Sequence, residues 1–175
     1  MTPGGAGRDT RGRHAEGPEG VGDKPSPVIR PLCEADLDAI LRIERRCFPE
    51  PWTRGMFRQE LAAEGLSHFF VMMEGDRIVA YGGYWVQVDE AHITNLAVVP
   101  ERRRRGYGAR VVRFLLREAA SRGLVAAYLE VRSSNEAAQA LYKGFGFERV
   151  GLRRRYYAQT GEDAIVMMAA LEPFT

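Results

Sequence analysis

Lysine is almost missing from this chain of 175 residues: Lys24 and Lys143 are the only two, and the other 23 of its 25 basic positions are arginine. That bias fits either planar, bidentate recognition of phosphate or carboxylate, or the coding preference of a GC-rich genome. Cysteine is equally scarce. Cys33 and Cys47 cannot build a disulfide framework, and their spacing does not match a metal site. The three histidines, His14, His68 and His92, are scattered through a tail and two expected strands. Neither a metal centre nor a histidine charge relay is therefore expected. No apolar run approaches the length of about 20 residues that spans a bilayer as a helix, so an integral membrane protein is not expected. Residues 1–27 hold basic residues but no apolar segment, which argues against a secretory signal and makes a reducing cytoplasm the expected location. Charge of one sign is also lacking: 25 basic and 23 acidic residues leave a net +2, which demands no polyanionic partner.

The material that is present divides unevenly. Residues 1–27 contain seven of the 19 glycines, four of the nine prolines and no aromatic residue. Such a stretch cannot bury enough apolar surface to offset the entropy of ordering it, so it reads as a disordered extension. Residues 28–175 then form one domain of ordinary size, and an overall 45% of hydrophobic residues leaves ample material for its core.

Within that domain the hydrophobic period switches between two and about 3.6. A short strand is expected over 28–32, then a helix over 36–47 with Leu37, Ile40, Leu41 and Ile43 on its apolar side. The Phe48-Pro49-Glu50-Pro51-Trp52 segment breaks it, and Thr53 caps a second helix to about residue 64. Strands over 67–74 and 77–88 make a hairpin around Gly75-Asp76, and a third strand covers 90–99. Val112, Leu115, Leu116 and Ala119 mark a long helix over 107–122. A strand over 128–131, a helix over 135–143 and strands over 147–154 and 164–170 follow. The order β-α-α-β-β-β-α-β-α-β-β describes a mixed α/β domain with one sheet flanked by helices.

Arg102-Arg103-Arg104-Arg105-Gly106-Tyr107-Gly108 lies between a strand and the start of the long helix. A helix N-terminus offers unpaired N–H groups and positive potential, glycine admits close approach, and arginine adds charged donors. Arginines there repel the dipole unless an anion compensates, which points to a bound phosphate group. A solvated arginine cluster touching nucleic acid is the plainer reading. A nucleotide P-loop lacks its Gly-Lys-Ser/Thr here, and the dinucleotide fingerprint would need a glycine where Val111 stands.

Arg103-Arg104-Arg105-Gly106-Tyr107-Gly108 is similar to the Gln/Arg-x-x-Gly-x-Gly/Ala motif of the GCN5-related N-acetyltransferases (GNAT). Ile93-Thr94-Asn95-Leu96-Ala97-Val98 resembles that family's central strand. Leu129-Glu130-Val131-Arg132-Ser133-Ser134-Asn135, with Ala140-Leu141-Tyr142 and Gly146-Phe147, resembles its coenzyme-side strand and helix. The likeness spans about 28–170. Inside the family the chain most resembles the bacterial ribosomal-protein alanine N-acetyltransferases. That likeness rests on Cys47-Phe48-Pro49 with Pro51-Trp52, on 129–135, and on Arg153-Arg154-Arg155-Tyr156-Tyr157 followed by Glu162-Asp163-Ala164-Ile165-Val166-Met167. Three features depart from the pattern: the extension, Lys143-Gly144-Phe145 in place of an acidic, helix-friendly stretch, and the excess of arginine in the loop.

The resemblance implies a GNAT fold, with a single mixed, mostly antiparallel sheet flanked by helices, and acetyl-CoA as cosubstrate without a metal. It implies a pyrophosphate site at Arg103, Arg104, Arg105, Gly106, Tyr107, Gly108 and Ala109, pantetheine contacts at Leu96, Ala97, Val98 and Asn135, and catalysis by Glu130 and Tyr142. An α-amine of pKa about 8 loses its proton at neutral pH for about 1 kcal/mol, a lysine for about 4–5, so a modest carboxylate base serves an N-terminus. Glu130 should project opposite Leu129 and Val131, where desolvation would strengthen it as a base. Its alternative role is an edge-strand ion pair with Arg132, and Glu90 is the second candidate base. Tyr142 would give its proton to the departing thiolate, or else simply pack in the core. Backbone N–H groups near 96–98 would receive the oxyanion. Ser133 and Glu136 form a capping box on this reading, with Asn135 in the first turn. Phe48, Trp52, Tyr156 and Tyr157 would flank the acceptor or fill the core.

The expected reaction is acetyl transfer to a protein N-terminus, by implication the alanine of a small-subunit ribosomal protein, in a direct ternary complex. No membrane and no direct nucleic acid contact are expected. A lysine or small-amine acetyltransferase is the alternative acceptor class. An arginine-rich ribosome- or nucleic-acid-binding module, using 102–105 and 153–155, is the alternative of a different kind.

Overall fold

The computed structural model describes residues 26–172. The expected extension over 1–27 therefore falls, apart from Ser26 and Pro27, outside the described residues. Strand β1 (Val28–Pro31) leads through a 3-10 turn to helix α1 (Leu37–Cys47) and helix α2 (Arg54–Ala62). Strands β2 (Ser67–Glu74), β3 (Arg77–Gln87) and β4 (Glu90–Val98) follow, then helix α3 (Tyr107–Ser121). Strand β5 (Ala126–Arg132), helix α4 (Glu136–Lys143), β6 (Glu148–Tyr157) and β7 (Glu162–Ala170) complete the chain.

Local chemistry accounts for most of these boundaries. The Thr53 hydroxyl accepts the Met56 N–H at 3.3 Å and starts α2 where the proline-rich break ends. Leu37, Ile40 and Ile43 are buried on α1, and Val111, Val112, Leu115 and Ala119 on α3, the stripe spacing of amphipathic helices. The least legible element is β6, which runs to Tyr157, three residues past the sequence expectation. It lies at the sheet edge with eight of its ten residues exposed, so no apolar alternation marks it.

One seven-stranded sheet has the order β1-β2-β3-β4-β5-β7-β6. Every pairing is antiparallel except β4 with β5. On one face α3 and α4 cover a core containing Phe70, Tyr84, Ile93, Leu129, Tyr142 and Phe147. On the other, α1 and α2 cover Leu37, Ile40, Phe57, Phe69, Tyr81 and Ala97. Among the described residues no helix is long and apolar enough to cross a membrane.

Two irregularities shape the centre of the sheet. In β4, Ile93 pairs with Tyr84 and Asn95 with Gly83, so Thr94 is an unmatched extra residue. The bulge inverts the alternation: Ala91 and Ile93 face the α3 side, whereas Ala97 faces the α1 side. Gly83 opposite the bulge has no room for a side chain, since a Cβ there would lie 2.4 Å from the Phe69 ring. The second irregularity is a split. The parallel pairing runs from Glu90 opposite Ala126 to Ile93 opposite Leu129 and then stops. Beyond it, residues 95–98 stay with β3, and Glu130 to Arg132 stay with β7.

Candidate active site

The split strands define the site. Val99 N–H bonds the Val79 carbonyl of β3 at 2.9 Å. Strand alternation then turns the N–H groups of Leu96 and Val98 the other way, into the gap that β5 has left. Ala97, with the opposite polarity, is buried against the α1 side.

Glu130 is the first β5 residue past the last β4–β5 pair. Ala127, Leu129 and Val131 are buried on the α3 side, so Tyr128, Glu130 and Arg132 project to the other face, as the alternation required. Its ion pair is not with Arg132. Arg153 of β6 reaches its Oε1 at 3.2 Å, and Arg132 turns instead to Glu162 at 3.2 Å and lies 3.8 Å over the Tyr157 ring. Nor is β5 an edge strand, since it lies between β4 and β7. Glu90 sits at the far end of the paired segment, opposite Ala126, about 13 Å along the strands from Glu130. There it binds His92 Nε2 at 3.1 Å.

Tyr142 approaches from α4. It is 8% exposed and packs on Phe147 with ring centroids 5.7 Å apart. Its hydroxyl makes no hydrogen bond among the described residues, yet no fully buried side-chain polar atom there lacks a partner. The hydroxyl oxygen must therefore border accessible space. Burial, with a smaller contribution from Tyr157, pushes it up to about 12, so it keeps its proton.

The capping expectation for α4 is corrected. Asn135, not Ser133, is the N-cap, its Oδ1 accepting the Ala138 N–H at 3.1 Å. Glu162 has drawn Ser133 away: its Oε1 accepts the Ser133 hydroxyl at 3.3 Å and the Ser134 N–H at 2.8 Å. Hydrogen bonding from Ser134, with a smaller contribution from Arg132, holds the Glu162 carboxyl down at about 2. The Asn135 amide nitrogen makes no hydrogen bond among the described residues.

Before α3 the chain turns through two left-handed residues, Arg104 (φ 60°) and Gly106 (φ 78°). Gly106 is the N-cap without a side-chain cap, and no acidic residue lies in the first turn, formed by Tyr107, Gly108 and Ala109. The turn is thus a concavity of N–H groups suited to an anion. Arg103 bonds the Val98 carbonyl at 3.2 Å and Cys47 Sγ at 3.3 Å, Arg102 bonds Glu74 at 2.7 Å, and the Tyr107 hydroxyl bonds Glu74 at 2.6 Å. Arg104 and Arg105 make no hydrogen bond or ion pair among the described residues.

A sequence profile of the Acetyltransferase (GNAT) family matches residues 37–147. The chain belongs to that family. Its relatives include the [ribosomal protein bS18]-alanine N-acetyltransferase of Salmonella typhimurium, 40% identical over 142 residues, covering 80% of this chain and 95% of the relative. The N-alpha-acetyltransferase RimI of Mycobacterium tuberculosis is 38% identical over 151 residues, covering 83% and 93%. The crystal structure of the ribosomal-protein alanine N-acetyltransferase from Escherichia coli superposes with a TM-score of 0.78 at 34% identity, covering 86% of this chain and 97% of the other. As a GNAT protein the chain is an acyltransferase, and the expected fold is the one found.

Of the four aromatics expected near the acceptor, Trp52 turns inward, 5.3 Å from Phe57 and 5.9 Å from Phe69, and Phe48 packs on the same core. Both anchor the loop between α1 and α2. Tyr156 is 46% exposed and meets Tyr157 edge-on at 5.2 Å, at the end of β6. One residue escaped the sequence reading. Glu44 on α1 is fully buried, accepting from the Tyr81 hydroxyl, from Asn95 Nδ2 at 3.3 Å and from the Trp52 N–H at 2.6 Å. Burial pushes its carboxyl up. The signal was there, because residue 44 is seven past Leu37 and so lies in the apolar stripe.

Proposed function

We infer that this protein transfers the acetyl group of acetyl-CoA to the N-terminal α-amine of a protein, the alanine N-terminus of a small-subunit ribosomal protein, in the cytoplasm. The split between β4 and β5 carries the chemical part of this reading, because it sets Glu130 beside a row of outward N–H groups. The acceptor is argued from the relatives named as alanine N-acetyltransferases.

Acetyl-CoA supplies a thioester carbon open to attack by a neutral amine. Its pyrophosphate suits the N–H concavity of residues 106–109, with Arg104 and Arg105 as charged donors and Arg103 able to exchange its carbonyl partner for phosphate. The Leu96 and Val98 N–H groups and the Asn135 amide serve the pantetheine arm and the oxygen that gains charge. Glu130 takes the proton that the attacking amine must lose, and the Tyr142 hydroxyl donates to the departing sulfur. Glu90, far from the gap, is the weaker candidate base.

The test is mass spectrometry of a peptide panel after incubation with acetyl-CoA, comparing free α-amines, blocked N-termini and lysines. Acetylation confined to free N-terminal alanine peptides is expected, and acetylation confined to lysine side chains refutes the acceptor. The arginine-rich binding module is disfavoured because Arg102 and Arg153 are taken up by the carboxylates of Glu74 and Glu130. Binding of RNA that persists without acetyl-CoA and falls steeply with salt would restore it.

A further inference from the structure

Glu44 occupies a position where a leucine would complete the apolar stripe of α1, yet it carries a carboxylate with no side chain exposed. None of its partners is a cation: a tyrosine hydroxyl from β3, an amide from β4 and a backbone N–H from the loop between α1 and α2. A buried, unpaired carboxylate is an expensive way to fill a core, and a hydrophobic side chain would fill it at lower free energy. What only the carboxylate does is bind three elements at one point. Asn95 is the residue just past the β4 bulge, immediately before the Leu96–Val98 N–H groups that face the split. Trp52 belongs to the loop on the acceptor side. Two residues earlier in that loop, Glu50 Oε1 accepts the Gln159 N–H at 3.1 Å from the turn between β6 and β7. Connected hydrogen bonds and short chain segments thus run from the β4 bulge, through Glu44 and the loop, to the β6–β7 turn beyond Arg153 and Glu130.

We propose that Glu44 is a positioning residue for acetyl transfer, clamping the acceptor-side loop to the bulged strand that flanks the thioester site. The inference rests on the reading that the loop over 48–53 borders the acceptor. Loss of the clamp should loosen that loop and weaken acceptor use, while the pyrophosphate turn before α3, which shares none of these bonds, keeps its hold on acetyl-CoA.

The test compares Glu44→Gln and Tyr81→Phe with the unaltered protein. Glutamine keeps the shape but offers one acceptor where the three donors faced two oxygens. Phenylalanine removes one donor and leaves the buried ring in place. Steady-state kinetics use an N-terminal alanine peptide, acetyl-CoA affinity is measured by calorimetry, and hydrogen exchange is followed at the Trp52 amide. Glu44→Gln should raise the acceptor KM about tenfold, leave the acetyl-CoA Kd within about twofold, and speed exchange at Trp52. Tyr81→Phe should shift both loop readouts the same way by a smaller factor, and it decides the matter if Glu44→Gln does not fold. An unchanged acceptor KM overturns the proposal. So does a parallel loss of acceptor use, acetyl-CoA affinity and melting temperature, which would make Glu44 merely structural. If the unaltered enzyme acetylates only lysine peptides, the N-terminal reading fails, and the same comparison on that acceptor still decides the clamp.

Discussion

Replacing Tyr142 by phenylalanine removes a single oxygen from a packed site and separates chemistry from folding. The ring keeps its place in the α3-side core and its contact with Phe147. The hydroxyl gives up no hydrogen bond among the described residues, and a partly buried hydroxyl without a partner costs about 1–3 kcal/mol. The variant should therefore match the parent in stability or exceed it by about 1 kcal/mol, a rise of no more than about 2–4 °C in Tm. The rate should move the other way. A hydroxyl held at about 12 is protonated throughout the working range and cannot act as a base. Outright transfer of its proton to a thiolate of ordinary pKa, about 8.5, would be uphill by about 5 kcal/mol. On the proposed mechanism the hydroxyl would therefore serve as a hydrogen-bond donor to the departing sulfur. A bond to a charged group contributes about 1.5–3 kcal/mol. At 1.36 kcal/mol per decade that is about a 10- to 150-fold loss of kcat. Thiol release with an N-terminal alanine peptide, alongside calorimetric melting, reads both quantities. A kcat within about twofold of the parent would remove Tyr142 from the chemistry. A Tm lower by more than about 3 °C would show that the hydroxyl holds the fold.

Glu130→Gln should lower kcat by about two to four decades and leave a pH profile that follows only the acceptor amine, measured as initial rate against pH. Unchanged turnover across pH would exclude Glu130 as the base. Arg104→Ala with Arg105→Ala should raise the KM for acetyl-CoA roughly tenfold at low salt and less at high salt, with the peptide KM unaffected. Stability should carry the signature of Asp36, 8% exposed in its side chain, which Arg30 grips with bonds of 2.7 and 2.8 Å. That grip holds the Asp36 carboxyl down at about 2, against an ordinary 3.8. A depressed carboxyl stabilises the fold above its unfolded value and loses that contribution as pH falls through its folded one. Arg30→Ala should then cost roughly 1–2 kcal/mol at neutral pH, allowing for screening of the half-exposed arginine, and almost nothing near pH 2 by denaturant titration. An equal cost at both pH values would assign the effect to packing.

Much of the fold was legible because local patterns encode it. The stripes of α1 and α3, the hairpin at Gly75-Asp76 and the Thr53 cap depend on neighbours two to four residues away. The projection of Glu130 away from Leu129 and Val131 followed from strand alternation alone. The expectation of an anion site at the glycine-arginine turn came from residue type and order. The likeness to acetyltransferases rested on such segments and required no knowledge of their contacts.

Other features belong to contacts that no local pattern contains. Arg132 lies two residues from Glu130, yet Arg153 takes that carboxylate because β7 and β6 assemble beside β5. Asn135 caps α4 because Glu162, 28 positions beyond Ser134, has already engaged the serines. The apolar stripe places Glu44 on the buried side of α1, but its partners are fixed only when β4 brings Asn95, 51 positions away, against it. The bulge at Thr94 and the parting of β4 from β5 exist only once the sheet is assembled. The sequence alone thus determined which groups are available, because helix and strand periodicity are short-range properties. Only the tertiary structure decided which groups meet, because ion pairs, hydrogen bonds and strand register form between segments that chain order keeps apart.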